Sequence, residues 1–352
     1  MEPIAVLTSG GDAPGMNACL HAIVKLCARQ GVDVLGVRHG YDGLIAGDLH
    51  PLRPQDVDAV AGWGGTILGS ARSKAFLTPA GRAQAAKQLE GTQGLVVIGG
   101  NGSLTGALKL AQETGARVIG LPASIDNDIG CTSTAIGVDT ALNTIVEACE
   151  RISDTARAHR RAFVVEVMGR QCGYLAMASA VAANADACLF REQGKDEETL
   201  VAELCAVLDR GLSPERDKKR ILIIKAEGVA VGTDTLVRNL QDHADAHDLH
   251  VDVRATILGH LVRGGSPSYQ DRMVAGRISA AAVQALLLGR SAEMIAWQPW
   301  TREGGIPTED PSVWRFPLTR VLEETAALLD GSSQVTRRRV RMMETYAGVL
   351  AV

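Results

Sequence analysis

The sequence predicts an α/β fold: a mostly parallel sheet with helices on both faces. Three observations carry this. Short β-branched runs alternate with Ala- and Leu-rich helical stretches, the pattern of strand–helix–strand units. Two glycine-rich turns each follow a strand and open a helix. The chain has 352 residues, 46% hydrophobic and 22% charged, an ordinary globular composition long enough for two domains.

The elements follow in order. Residues 4–7 read as a strand, then a glycine loop, then a helix over 15–29. Residues 32–37 form the next strand. Thr78 before Pro79 reads as an N-cap with proline at the first helical position, opening a helix to about Leu89. Residues 95–98 are a strand ending in Gly99-Gly100, and 117–121 a strand running into an acidic segment. Asp139 is the expected N-cap of a long helix to about Ala156. Residues 163–167 and 220–225 are strands, and 200–208 and 275–288 helices. In such sheets ligands sit beyond the carboxyl ends of the strands.

Several function classes fall away. The net charge is −4, so no global field attracts nucleic acid. No run approaches the ~18 apolar residues of a membrane span, and the first residues lack the basic leader of a signal peptide. Seven cysteines (19, 27, 131, 149, 172, 188, 205) fall at irregular spacings with no Cys-x-x-Cys pair. They read as reduced thiols of a cytoplasmic protein, not zinc ligands. The basic run Thr336–Arg341 reads as a solvated helix start or a subunit contact.

Three groups of residues could carry chemistry. The turns Ser9–Asn17 and Gly99–Ser103 let backbone amides and a helix N-terminus approach a phosphate chain. Neither has the P-loop or Gly-x-Gly-x-x-Gly pattern, which weakens a dinucleotide oxidoreductase. One such loop alone is as often a tight turn. The segment Pro122–Asp128 carries Asp126 and Asp128 two residues apart. On extended backbone both side chains project from one face, for a general base and a metal-side carboxylate. Alone, the segment reads rather as a helix N-cap or an Asx-turn. Third are Arg72, Arg161, Arg170, Arg254 and Arg263, whose guanidinium forks suit phosphate oxygens, together with His260. Singly, each reads as a surface or structural residue.

Together these strings resemble the ATP-dependent 6-phosphofructokinase family. The matching motifs are residues 7–18, 65–72, 97–103, 121–128, 164–173 and 254–267, in family order. The resemblance implies two doubly wound, Rossmann-like domains with an active site in the cleft between them. A larger ATP-binding domain would comprise 1–137 plus about 253–308, and a smaller sugar-phosphate domain 138–252 plus about 309–352. The implied reaction moves a phosphoryl group from ATP to the C1 hydroxyl of fructose 6-phosphate, with Mg2+. Gly11, Arg72, Ser73, Gly100, Asn101, Gly102 and Ser103 would hold ATP, with Tyr41 near the adenine side. Asp126 would be the general base. Ser124 and Asp128 would orient the reacting groups and the metal, and Arg170 would bridge substrate and transferring phosphoryl. Met168, Gly169 and Glu227 would contact the sugar, and Arg254, His260 and Arg263 the 6-phosphate. Arg161 and Arg254 would reach into a neighbouring subunit's site, implying a homotetramer.

The chain also departs from the family pattern. Asn101 stands where an aspartate usually helps hold magnesium; it keeps an oxygen ligand and loses a charge. Pyrophosphate-dependent relatives carry aspartate at the position of Gly102 and lysine at that of Ala123. Small residues at both favour ATP. At the family's effector positions stand His21, Lys25, Ser153, Arg216 and Lys218, where serine replaces an expected arginine. A broader sugar-phosphate kinase and a catalytically silent regulatory subunit are the alternatives; the presence of Asp126, Asp128 and Arg170 argues against the second.

Overall fold

The computed structural model describes residues 1–300 and 303–350. In chain order the elements are β1 (Ile4–Ser9), α1 (Met16–Arg29), β2 (Val34–Val37), α2 (Gly40–Ala46), β3 (Leu49–Leu52), α3 (Pro54–Val57), α4 (Pro79–Lys87), β4 (Gly94–Gly99), α5 (Asn101–Thr114) and β5 (Val118–Pro122). Next come α6 (Val138–His159), β6 (Arg161–Val167), α7 (Tyr174–Ala182), β7 (Ala187–Leu189), α8 (Glu197–Leu212), β8 (Arg220–Ala226), α9 (Thr233–Ala246) and β9 (Asp252–Ile257). The chain ends with α10 (Tyr269–Leu287), β10 (Glu293–Trp297), β11 (Ile306–Pro307), β12 (Val313–Pro317), α11 (Leu318–Asp330) and α12 (Gln334–Leu350).

Two compact units form, both discontinuous in sequence. One comprises Met1–Thr140 with Arg263–Ala327, the other Ala141–Val262 with Leu328–Val352. The crossovers lie later than the sequence boundaries near 253 and 308. Strand β9 pairs with β6 in the second unit. Strands β10 and β12 belong to the first unit's sheet, and the helix after them, α11, reaches Asp330.

The first unit's sheet runs β11-β12-β10-β5-β4-β1-β2-β3. Strands β10, β5, β4, β1 and β2 are mutually parallel, and the flanking pairs β10/β12, β11/β12 and β2/β3 are antiparallel. Every residue of β1, β4 and β5 is buried. Continuous apolar runs such as Leu95–Ile98 are what a strand covered on both faces requires. The second unit's sheet, β7-β8-β6-β9, is wholly parallel.

Side-chain caps set the starts of α4, α8 and α10. The Thr78 hydroxyl accepts from the Gly81 amide at 3.1 Å, with Pro79 first in α4. Asp139 is not the cap of α6, because the helix has already begun at Val138. That role falls to Asp271, one turn into α10. Its carboxylate accepts from the Gly137 and Thr140 amides, each at 2.8 Å, and from the Thr140 hydroxyl. Burial pushes the Asp271 carboxyl up, against these hydrogen bonds, which favour its charged form.

All seven cysteines are free thiols. Burial pushes Cys19 and Cys27 up to about 12. No helix among the described residues is long and apolar enough to cross a membrane.

Candidate active site

In the first unit, three turns leave the carboxyl ends of three adjacent parallel strands. The turn after β1 leads to α1, the turn after β4 to α5, and the turn after β5 is acidic. Both helices start without a side-chain cap: Gly15 and Gly100 hold the cap positions. The Met16 amide donates to the Ala13 carbonyl at 3.2 Å and the Ser103 amide to the Gly100 carbonyl at 3.0 Å, and the partial positive charge of each helix start favours an anion.

The turns touch one another. A Cβ on Gly10 would lie 3.2 Å from the Ser103 hydroxyl, and one on Gly100 3.9 Å from the Ser124 side chain. Gly102, in the first turn of α5, is different: a Cβ there meets nothing within 4 Å. Ala123, next to Gly100, is buried, its amide on the Gly99 carbonyl at 3.0 Å.

The acidic segment is a turn, not extended strand. Asn127 takes φ 49°, in the left-handed region. Its side chain accepts from the Ala135 amide at 3.1 Å and donates to the Ser133 carbonyl at 3.1 Å. Even so, Ser124, Asp126 and Asp128 are half-exposed while Ile125, Asn127 and Ile129 are buried. Asn127 thus pins the turn on which these three partly exposed residues lie. The Ser124 hydroxyl donates to Asp128 Oδ1 at 2.7 Å.

Other expected ligands divide by surroundings. Arg72 is exposed. Ser73 caps the short turn Ala75–Leu77, its hydroxyl accepting from the Phe76 amide. Tyr41 is buried, stacked on Phe76 with ring centroids 3.8 Å apart, and its hydroxyl donates to the Ser103 carbonyl at 2.6 Å. It braces the start of α5 and does not present an open ring face. Arg263 lies on the first glycine turn, with Nη1 donating to the Asp12 carbonyl at 3.2 Å and the guanidinium against Gly11.

Asn17 received no separate role from sequence. It accepts from the Ile67 amide at 2.9 Å and donates to the Gly64 carbonyl at 3.1 Å, holding the loop that leads to Arg72.

The second unit gathers a different set at the carboxyl ends of its strands. Met168, Gly169 and Arg170 follow β6, Glu227 follows β8, and His260 lies beyond β9. The Glu227 amide donates to the Val167 carbonyl at 2.9 Å, joining two of these turns. Gly169 has φ 126°, and a Cβ there would stand 2.5 Å from the Cys172 carbonyl oxygen. Only glycine fits this position. The side chains of Arg170, Glu227 and His260 are exposed, and Met168 is buried.

Beneath these turns, Lys225 is buried with Nζ 3.0 Å from Glu166 Oε2, and the Thr233 hydroxyl donates to the same oxygen. Arg161 and Arg254 are not part of this cluster. Both hold Asp252, at 3.1 and 2.9 Å, near the amino ends of β6 and β9. Six residues of strand separate Arg161 from Val167, about 20 Å.

Of the expected effector positions, Lys25 pairs with Asp58, Lys218 pairs with Asp186 at 2.6 Å, and the Ser153 hydroxyl accepts from Arg220 at 3.2 Å. No group of three metal-ligating side chains is assembled among the described residues. A nucleotide-borne magnesium ion needs only one or two protein oxygens besides phosphates and water. The free side of Asp128 and the Asn101 carbonyl suit that demand.

Comparison with known proteins gives a concordant result. A family model described as "Phosphofructokinase" matches residues 3–286. An ATP-dependent 6-phosphofructokinase of Thermotoga neapolitana is 47% identical over 300 residues, 85% of this chain and 90% of the relative. ATP-dependent 6-phosphofructokinase 1 of Thermus thermophilus is 45% identical over 298 residues, 84% of this chain and 89% of the relative. The structure of phosphofructokinase from Saccharomyces cerevisiae superposes with a TM-score of 0.80 at 34% identity, over 96% of this chain and 47% of that one. This chain thus spans about half the length of the yeast chain. On the family match and on both bacterial relatives, the chain belongs to the phosphofructokinase family.

Proposed function

We propose that the chain transfers the γ-phosphoryl group of ATP to the C1 hydroxyl of fructose 6-phosphate, giving fructose 1,6-bisphosphate and ADP. The observation that carries this is the meeting of two uncapped helix starts and one acidic turn on three adjacent strands of one sheet. Phosphoryl transfer asks for little covalent help; positioning and neutralisation of charge do most of the work. The two helix starts supply amides and positive charge for the nucleotide phosphates. Asp126 accepts the C1 hydroxyl proton as that oxygen attacks the γ-phosphorus. Ser124, bonded to Asp128, fixes the orientation of the second carboxylate. Asp128 and Asn101 would hold a magnesium ion, which neutralises phosphate charge. Arg170 supplies charge to the transferring group. Met168, Gly169 and Glu227 contact the sugar, and His260 and Arg263 take the 6-phosphate.

Arg161 and Arg254 act on the sugar phosphate of a neighbouring subunit in a homotetramer. Arg161 lies about 20 Å along β6 from Val167, and Arg254, level with Phe163, about 13 Å; this supports the reading, since a guanidinium reach of ~7 Å spans neither length. A cytoplasmic setting accords with the seven free thiols.

The test is ADP release with fructose 6-phosphate, compared between the wild type and Asp126→Asn. Loss of a general base costs on the order of 10²–10⁴-fold in kcat. Full activity in the variant would sink the assignment of the base. Donor choice is read in the same assay. Open space at Gly102 and a buried alanine at 123 leave room for the nucleotide beyond the β-phosphate. ATP is expected to outperform pyrophosphate, and a rate with pyrophosphate far above that with ATP would overturn the donor.

A further inference from the structure

We propose that Arg339, on the C-terminal helix α12, is a positioning residue for the turn Met168–Arg170. The proposal rests on the reading above, which gives that turn to fructose 6-phosphate. The helix lies beyond residue 286, where the family match ends. It also contains the basic run expected to be solvated or to meet another subunit.

The run divides by contact. Arg338 and Arg341 are exposed, and Arg337 donates to the Ser332 carbonyl of its own helix start. Arg339 instead turns onto the body of the unit. Its guanidinium carbon sits 4.3 Å from the centroid of the Tyr174 ring, and Nη1 donates to Cys172 Sγ at 3.7 Å. Both targets flank Gly173, whose amide is already taken by Glu192 Oε1 at 2.9 Å. A Cβ at Gly173 would come within 2.8 Å of the other Glu192 oxygen. Segment 172–174 is thus held by Glu192 and by Arg339.

That segment bears directly on the substrate turn. The Cys172 carbonyl oxygen is the group that a side chain at position 169 would strike, so Gly169, at φ 126°, packs directly against Cys172. Slack at Cys172 therefore passes to Gly169 and to the direction in which Arg170 leaves the turn. A cation over a ring is a suitable clamp because it tolerates no large shift of the ring without loss of attraction. Arg339 touches no substrate; it acts through Cys172 and Tyr174.

Steady-state kinetics of the full chain test this. Arg339→Ala is expected to raise KM for fructose 6-phosphate roughly fivefold to tenfold, with KM for ATP and kcat within about twofold of wild type. Arg339→Lys keeps a cation over Tyr174 and should recover most of the loss. Tyr174→Leu should shift the same KM, and the double variant Arg339→Ala/Tyr174→Leu should be no worse than the poorer single one, because both remove one contact. If Arg339→Ala folds poorly, Arg339→Met keeps the apolar stem on the ring without the charge and gives the same readout. An unchanged KM for fructose 6-phosphate overturns the proposal. So does a parallel rise in KM for ATP, a lysine variant no better than alanine, or single effects that multiply in the double variant. Failure of the functional reading looks different: the wild type itself would not turn over fructose 6-phosphate.

Discussion

Asn127 does for the acidic turn what its carboxylate neighbours cannot do for themselves. With φ 49° and both ends of its amide bonded to the Ser133–Ala135 strip, it pins the backbone between Asp126 and Asp128, both partly exposed. Asparagine tolerates that conformation better than most residues. Asn127→Ala should therefore cost about 2–4 kcal/mol, from two lost hydrogen bonds and backbone strain. It should also lower kcat without any change to the base; chemical denaturation and ADP release measure the two effects. At the proposed metal site, Asn101→Asp adds a negative charge and should lower the magnesium concentration needed for half-maximal rate. An unchanged magnesium dependence would remove Asn101 from the metal's surroundings. The string Asp126-Asn-Asp128 was visible in the sequence as a pair of carboxylates. What was not visible was the means of alignment, because left-handed backbone at one asparagine leaves no periodic trace. Asp271 was equally hidden: the cap of α6 comes from a residue more than 130 positions later.

The parallel strands repeat one arrangement in both units: apolar body, ligand residues at the carboxyl end. In the second sheet that arrangement has an ionic support. Lys225 is almost wholly buried against Glu166, whose carboxylate also holds Thr233 at the start of α9, while its backbone carbonyl accepts from Leu258. β6, β8 and α9 are tied together just below Met168 and Glu227. Breaking such a pair from one side leaves a charge without its partner. Lys225→Met should thus cost about 3–5 kcal/mol, and Lys225→Met with Glu166→Gln clearly less, as read from denaturation midpoints. A double variant no more stable than the single one would show that the pair's charge is not what matters. The elements themselves were unevenly legible. β1, β4 and β5 announced themselves by unbroken apolar runs between glycines. β9 did not, because it is an edge strand whose residues are mostly half-exposed or exposed. In α9 the helical signal is thin: Leu236, Leu240 and Ala244 at four-residue intervals within a polar stretch. Neither entered the sequence reading as an element.

For the whole molecule, the order of strands in space was beyond the sequence, since β10 joins β5 across more than 170 residues and no local pattern encodes that pairing. The placement of Arg161 and Arg254 on Asp252 carries the consequence for assembly. Asp126→Asn and Arg254→Ser chains should each be nearly inactive alone. Unfolded together and reassembled, they should recover a measurable share of wild-type rate, because some sites would pair an intact Asp126 with an intact Arg254 from another chain. No recovery would put both groups to work within one chain. Gly102 has a different kind of importance. It is exposed, meets no neighbour, and lies in the first turn of a helix whose dipole welcomes an acid. An aspartate there would meet no neighbour, whereas the lysine that accompanies it in the pyrophosphate-using pattern would have to enter the buried position of Ala123. One half of a change of phosphoryl donor is thus open to the fold and the other is opposed by packing, so selection for folding also guards the energy currency of the reaction.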